Sequence, residues 1–190
     1  MKQKVRGLMT IALLALAFSS ASAENYTPDV AEFDGTNALN FDASPQLAMA
    51  QGGTVEFWVV PDWTTDPGYD PTIISNMGPQ GISYLVAMLR DRSGIAFAAG
   101  DMEYVATFDF TALNLPSDGV RIGSIDGTNN QFRGAIAGLR FWNVVVTQEE
   151  LVEFALTDIF KGDHPNLDNL SAMSNFNSGE LLLVQPEVQP

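Results

Sequence analysis

The chain has 190 residues, no cysteine, and 23 Asp+Glu against nine Lys+Arg, for a formal net charge of −14. So negative a protein lacks the positive footprint that nucleic acid or anionic lipid requires, and without thiols it has no disulfide and no cysteine-ligated metal. One domain of this size buries a sizeable core, and the acidity suits a hard cation such as calcium.

Lys2, Lys4 and Arg6 precede an apolar run from Leu8 to Phe18 and an Ala21-Ser22-Ala23 end. That order makes residues 1–23 a secretory signal peptide, and its apolar part is too short to span a bilayer. The remainder reads as an exported protein, secreted, periplasmic or cell-surface associated, with no stable membrane insertion after cleavage. Residues 24–155 form one domain, and residues 156–190 form a C-terminal extension.

Val30 to Phe41 reads as two short strands around the turn dipeptide Asp34-Gly35. Thr54 to Val60 is the clearest strand, β-branched and aromatic, and Pro61 stops it. Phe57 and Val59 point one way, while Glu56, Trp58 and Val60 point the other. Apolar residues on both sides predict a central strand. A loop of three prolines, three aspartates, Trp63 and Tyr69 follows, from Pro61 to Pro71.

Further strands are predicted at Thr72 to Ser75, Tyr84 to Leu89, Gly94 to Ala99, Tyr104 to Phe110, Val120 to Ile125 and Gly134 to Val146, with Gly, Pro and Asp breakers between them. Short strands at such intervals predict an all-β sandwich. Thr147 with Glu150 three residues on is a capping box, opening a helix from Gln148 to about Phe160. Asp163-His164-Pro165 is expected to open a second short helix with Leu167, Leu170 and Met173 on its buried side. Glu180 to Val184 reads as a last strand.

Several of these pieces, taken in order, resemble laminin-G-like, concanavalin A-like domains. They are Phe33-Asp34-Gly35, Thr54-Val55-Glu56-Phe57-Trp58-Val59, Ile73-Ile74-Ser75-Asn76, and the Phe132 to Leu151 ending FRGAIAGLRFWNVVVTQEEL. The resemblance covers roughly Val30 to Leu151. It implies a concanavalin A-like (laminin-G-like) jelly-roll β-sandwich with a short C-terminal helical extension, and an exported, non-catalytic binding module for a glycan or an extracellular protein surface. The family's usual W-H-H strand and V-D-G hairpin are absent after Phe110, and Leu181 to Val184 is expected to cover that gap. Ala137 stands where calcium-binding members often carry Asp, which leaves Asp34 as the calcium candidate.

Chemistry has few footholds. With one histidine, His164, any Ser-His-Asp triad must use it, and no nucleophile elbow accompanies it. Phosphate-binding glycine loops are absent. A glycoside hydrolase on the same fold needs two facing carboxylates, and the nearest pairs are Glu32 with Asp34 and Asp101 with Glu103. Glycan binding finds better material in the 61–71 loop. Trp63 and Tyr69 offer faces for sugar rings, and Asp66 and Asp70 offer acceptors for hydroxyls. A further class is a structural or adhesion domain that packs against a partner through the gap.

Overall fold

The computed structural model describes residues 29–48, 52–98, 118–155, 164–176 and 180–183. The expected signal peptide at residues 1–23, the predicted strand at Tyr104 to Phe110, the Asp101 and Glu103 pair, the expected hairpin gap and the end of the predicted helix lie outside them.

Among the described residues, ten strands form two antiparallel five-stranded sheets. The first holds β1 (Val30–Asp34), β3 (Thr54–Pro61), β8 (Arg133–Trp142), β9 (Leu170–Asn175) and β10 (Glu180–Leu183). Strand β8 is its axis. One edge of β8 pairs with β3 from Thr54↔Trp142 to Pro61↔Gly134. The other edge is shared end to end, by β1 along residues 133–137 and by β9 along residues 140–142. Strand β10 then pairs with β9, so the C-terminal segment predicted as a strand is one, and it extends this sheet. The second sheet runs β2 (Leu39–Phe41), β7 (Val120–Ile122), β4 (Thr72–Gly78), β5 (Gly81–Met88), β6 (Ile95–Ala98).

Period-two alternation fills the space between the sheets. Phe33, Ile136, Leu139 and Phe141 from one sheet meet Ile74, Tyr84, Val86, Val120 and Ile122 from the other, with Phe57 and Val59 packed alongside. The opposite face of β3 and β8 is buried differently. Trp142 and Leu170 pack there with Val146, Leu151 and Leu167, beneath helix α1 (Gln148–Phe154). That helix opens with the predicted capping box: Thr147 accepts from the Glu150 N–H, and the Glu150 carboxylate accepts from the Thr147 N–H.

Three expectations change. The two strands about Asp34-Gly35 do not form a hairpin, because β1 joins one sheet and β2 the other. Strand β3 is not central among the described residues, since it pairs only with β8. Its outward apolar residue Trp58 is covered instead by the helix end, where the indole Nε1 donates to the Ala155 carbonyl at 3.3 Å. The second helix is only a three-residue 3-10 turn, Leu167–Asn169. Leu170 and Met173 belong to β9, where pairing with Trp142 and Arg140 outweighs weak local helix propensity.

The outer face of β3 and β8 also buries charge. Arg140 Nη1 lies 2.9 Å from Glu56 Oε1, with the Arg140 side chain 2% exposed and the Glu56 side chain 13%. Trp142 Nε1 donates to Glu56 Oε2 at 3.2 Å. Burial pushes the Glu56 carboxyl above its ordinary value, although Arg140 and Trp142 pull the other way. His164 is buried close by. Its ring stacks on Trp142 at 4.5 Å and leans on Phe154 at 4.6 Å, and its Nδ1 accepts from the Asn166 N–H.

A candidate ligand cleft

The pairing of β1 and β3 with β8 brings three connections to one end of the sandwich. These are the turn after β1, the 61–71 loop after β3, and the segment entering β8. Gly134 makes the approach possible. Its φ is +135°, and a Cβ there would sit 2.2 Å from the Val60 carbonyl oxygen. Asp62 N–H donates to the Arg133 carbonyl, and Thr72 N–H donates to the Asn130 carbonyl, so the loop is fastened at both ends.

Between these segments lies a cleft of about 250 Å³, walled by Asp34 at the end of β1 and Thr36 in the turn, by Asp62, Trp63 and Tyr69 from the loop, by Phe132, and by Arg133 at the start of β8. That is slightly below the roughly 300 Å³ at which pockets for drug-sized ligands begin, so it suits one ring better than a long ligand.

Its aromatic walls are held by neighbours. The Arg92 guanidinium carbon sits 5.3 Å from the centroid of the half-buried Trp63 ring, and Arg92 Nη2 donates to the Trp63 carbonyl at 3.3 Å. Such a cation–π contact is worth roughly 0.5–1 kcal/mol at an exposed site. The Tyr69 hydroxyl donates to the Gln131 carbonyl at 3.1 Å, which ties the loop to the β8 side. Rings fixed before a ligand arrives lose less freedom on binding.

The polar groups divide into engaged and available. Asp62 accepts from the Thr64 N–H and lies 3.2 Å from Arg133 Nη2. The Thr64 N–H, and to a lesser degree Arg133, hold its carboxyl below the ordinary value. Asp34 accepts from the Thr36 hydroxyl at 2.7 Å and the Thr36 N–H at 2.8 Å, both on Oδ1, and these bonds lower its carboxyl too. The stem of Arg133 lies across this turn, 2.8 Å from where a Gly35 Cβ would be.

The sequence-predicted residues therefore separate. Trp63, Tyr69 and Asp34 line the cleft together, and Asp66 and Asp70 do not. Those two acids line a shallower depression next door, with Leu89, Arg90 and Asp91. Asp66 is gripped by Arg90 at 2.8 and 2.7 Å, and that contact with the Gly68 N–H brings its carboxyl down to about 2. Asp70 accepts from the Arg90 N–H at 2.7 Å. Both acids brace the loop that presents the aromatic residues.

Arg133 and Thr36 are cleft residues that sequence reading did not single out. Their only signal, position beside a glycine, is shared with many surface residues. Among the described residues, no group of three or more acidic or histidine side chains could hold a metal ion. An ion at Asp34 would therefore draw its remaining ligands from backbone carbonyls and water. Glu32 is exposed on β1. No helix among the described residues is long and apolar enough to cross a membrane. No protein-family model matches the chain, and no curated protein matches it in sequence.

Proposed function

We propose that this chain is an exported, non-catalytic binding module that takes a sugar ring of a glycan, free or displayed on an extracellular protein, into the cleft beside Trp63. The observation that carries the reading is the meeting of Trp63 and Tyr69 in one cleft, each held by a bond to a neighbour, beside carboxylates able to accept from hydroxyls. The resemblance of the 132–151 ending to laminin-G-like domains supports a jelly-roll form of the sandwich. The basic, apolar, Ala-x-Ala order of residues 1–23 supports export.

The test is a glycan screen with residues 24–190, followed by titration of Trp63→Ala against each hit. Loss of ring contact should weaken binding about three- to tenfold, since aromatic contacts of this kind contribute roughly 0.5–1.5 kcal/mol. The melting temperature should hardly move, because the ring is only half-buried. Unchanged affinity, or a large drop in melting temperature, would remove Trp63 from the binding role.

A further inference from the structure

We infer that the cleft discriminates by charge, taking a sugar that is neutral or carries an amine and refusing an acidic one, with Asp34 setting the preference. This rests on the glycan reading above and deepens it. The charged groups lining the cleft are Asp34, Asp62 and Arg133. Arg133 is already engaged by Asp62, 3.2 Å away. The two other cations of this region are not among the walls: Arg90 grips Asp66, and Arg92 lies over the Trp63 ring. Asp34 has no cationic partner among the described residues. Its two bonds from Thr36 fall on Oδ1, and the exposed Asp34 lines the cleft with Oδ2 able to accept further.

A uronate entering here meets a balanced ion pair and a carboxylate with no cation beside it, so its charge gains no partner and faces one repulsion. A hydroxyl gives Oδ2 a donor, and an ammonium gives it a charge-assisted one. The net charge of −14 acts in the same direction at longer range, but salt screens that contribution over about 10 Å at 0.1 M. The contribution from Asp34 itself is local.

Three oligosaccharides of one length and linkage separate the possibilities: glucosamine, N-acetylglucosamine and glucuronic acid oligomers, titrated calorimetrically against residues 24–190. The glucosamine oligomer should bind about two- to fivefold more tightly than the neutral one, as expected for one exposed ion pair, and the glucuronate should bind most weakly. Asp34→Asn keeps an amide oxygen for the Thr36 bonds, and it should collapse the difference between glucosamine and N-acetylglucosamine. Glucuronate binding as well as the neutral oligomer, or an order unaffected by Asp34→Asn, would overturn the charge inference. If that happens while Trp63→Ala still weakens binding, the glycan reading survives without it. If none of the three binds, the charge inference falls and the wider screen decides the glycan reading; if binding ignores Trp63, both fall.

Discussion

Replacing Arg140 with Met keeps most of the side chain's bulk and strips Glu56 of its cation. Glu56 would then remain on the covered face of β3, 13% exposed, with the Trp142 indole N–H as its remaining bond. Breaking a buried pair in this way costs about 3–5 kcal/mol, because the surviving charge stays desolvated. At about 2–4 °C per kcal/mol for a chain of this length, the melting temperature should fall by roughly 6–20 °C at pH 7.

The pH dependence carries the reasoning further. Burial already raises the Glu56 carboxyl above 4.5, and removing Arg140 takes away the attraction opposing that rise. A carboxyl raised in the folded state contributes its stability fully below the unfolded pKa and loses it as pH climbs through the folded one. The deficit of Arg140→Met should therefore shrink as pH falls from 7 towards about 4.5. The double variant Glu56→Leu with Arg140→Met should lie close to the parent at pH 7, since an apolar pair of similar volume leaves nothing unpaired. Urea and thermal denaturation across this range decide the matter. A cost below about 1 kcal/mol, or a deficit that ignores pH, would mean that water reaches Glu56 and that the pair is a surface contact.

Other expectations follow from particular contacts. Gly134→Ala should destabilise by at least about 2 kcal/mol, because a Cβ meets the Val60 carbonyl at 2.2 Å in a backbone conformation unfavourable to alanine; a denaturant midpoint checks this. Thr147→Ala should cost about 0.5–2 kcal/mol through loss of the helix cap, and Thr147→Ser should recover most of it. His164 is buried against Trp142 and Phe154, and burial, with Arg140 nearby, holds its pKa below 6.5 against the pull of Glu150. A histidine lowered in the folded state contributes stability above its unfolded pKa and loses it as pH falls. Melting temperature should therefore decline from pH 7 towards pH 5, and His164→Gln should flatten that slope.

Local signals in the sequence were strong where the backbone answers to its neighbours. The Thr147–Glu150 box is a reciprocal contact three residues apart, and it opens the helix where the sequence places it. The alternation in Thr54 to Val60 puts Phe57 and Val59 on one face, and that face packs against the core. Long-range choices were not legible. Leu170 and Met173 have helical spacing, yet they lie in a strand because β8 offers a free stretch of edge at residues 140–142. Trp58 looks like a residue from the middle of a sheet, and it is covered by a helix end instead. In the cleft, Trp63 and Tyr69 could be nominated from one loop. The inward role of Arg133 depends on a strand pairing some 70 residues away in sequence, and the diversion of Asp66 and Asp70 depends on Arg90.

The end-to-end sharing of β8 by β1 and β9 has a consequence for how the chain is made. Glu56 reaches Arg140 across 84 residues and Thr54 reaches Val146 across 92, so little of this sheet can close early. Folding dominated by such distant pairings is slow, on the order of milliseconds to seconds. During synthesis, β1 and β3 must wait as unpaired strands until β8 emerges, and the upper edge of β8 then waits for residues 170–173. A chain that stays open this long presents unpaired strand edges until residues 170–173 are made.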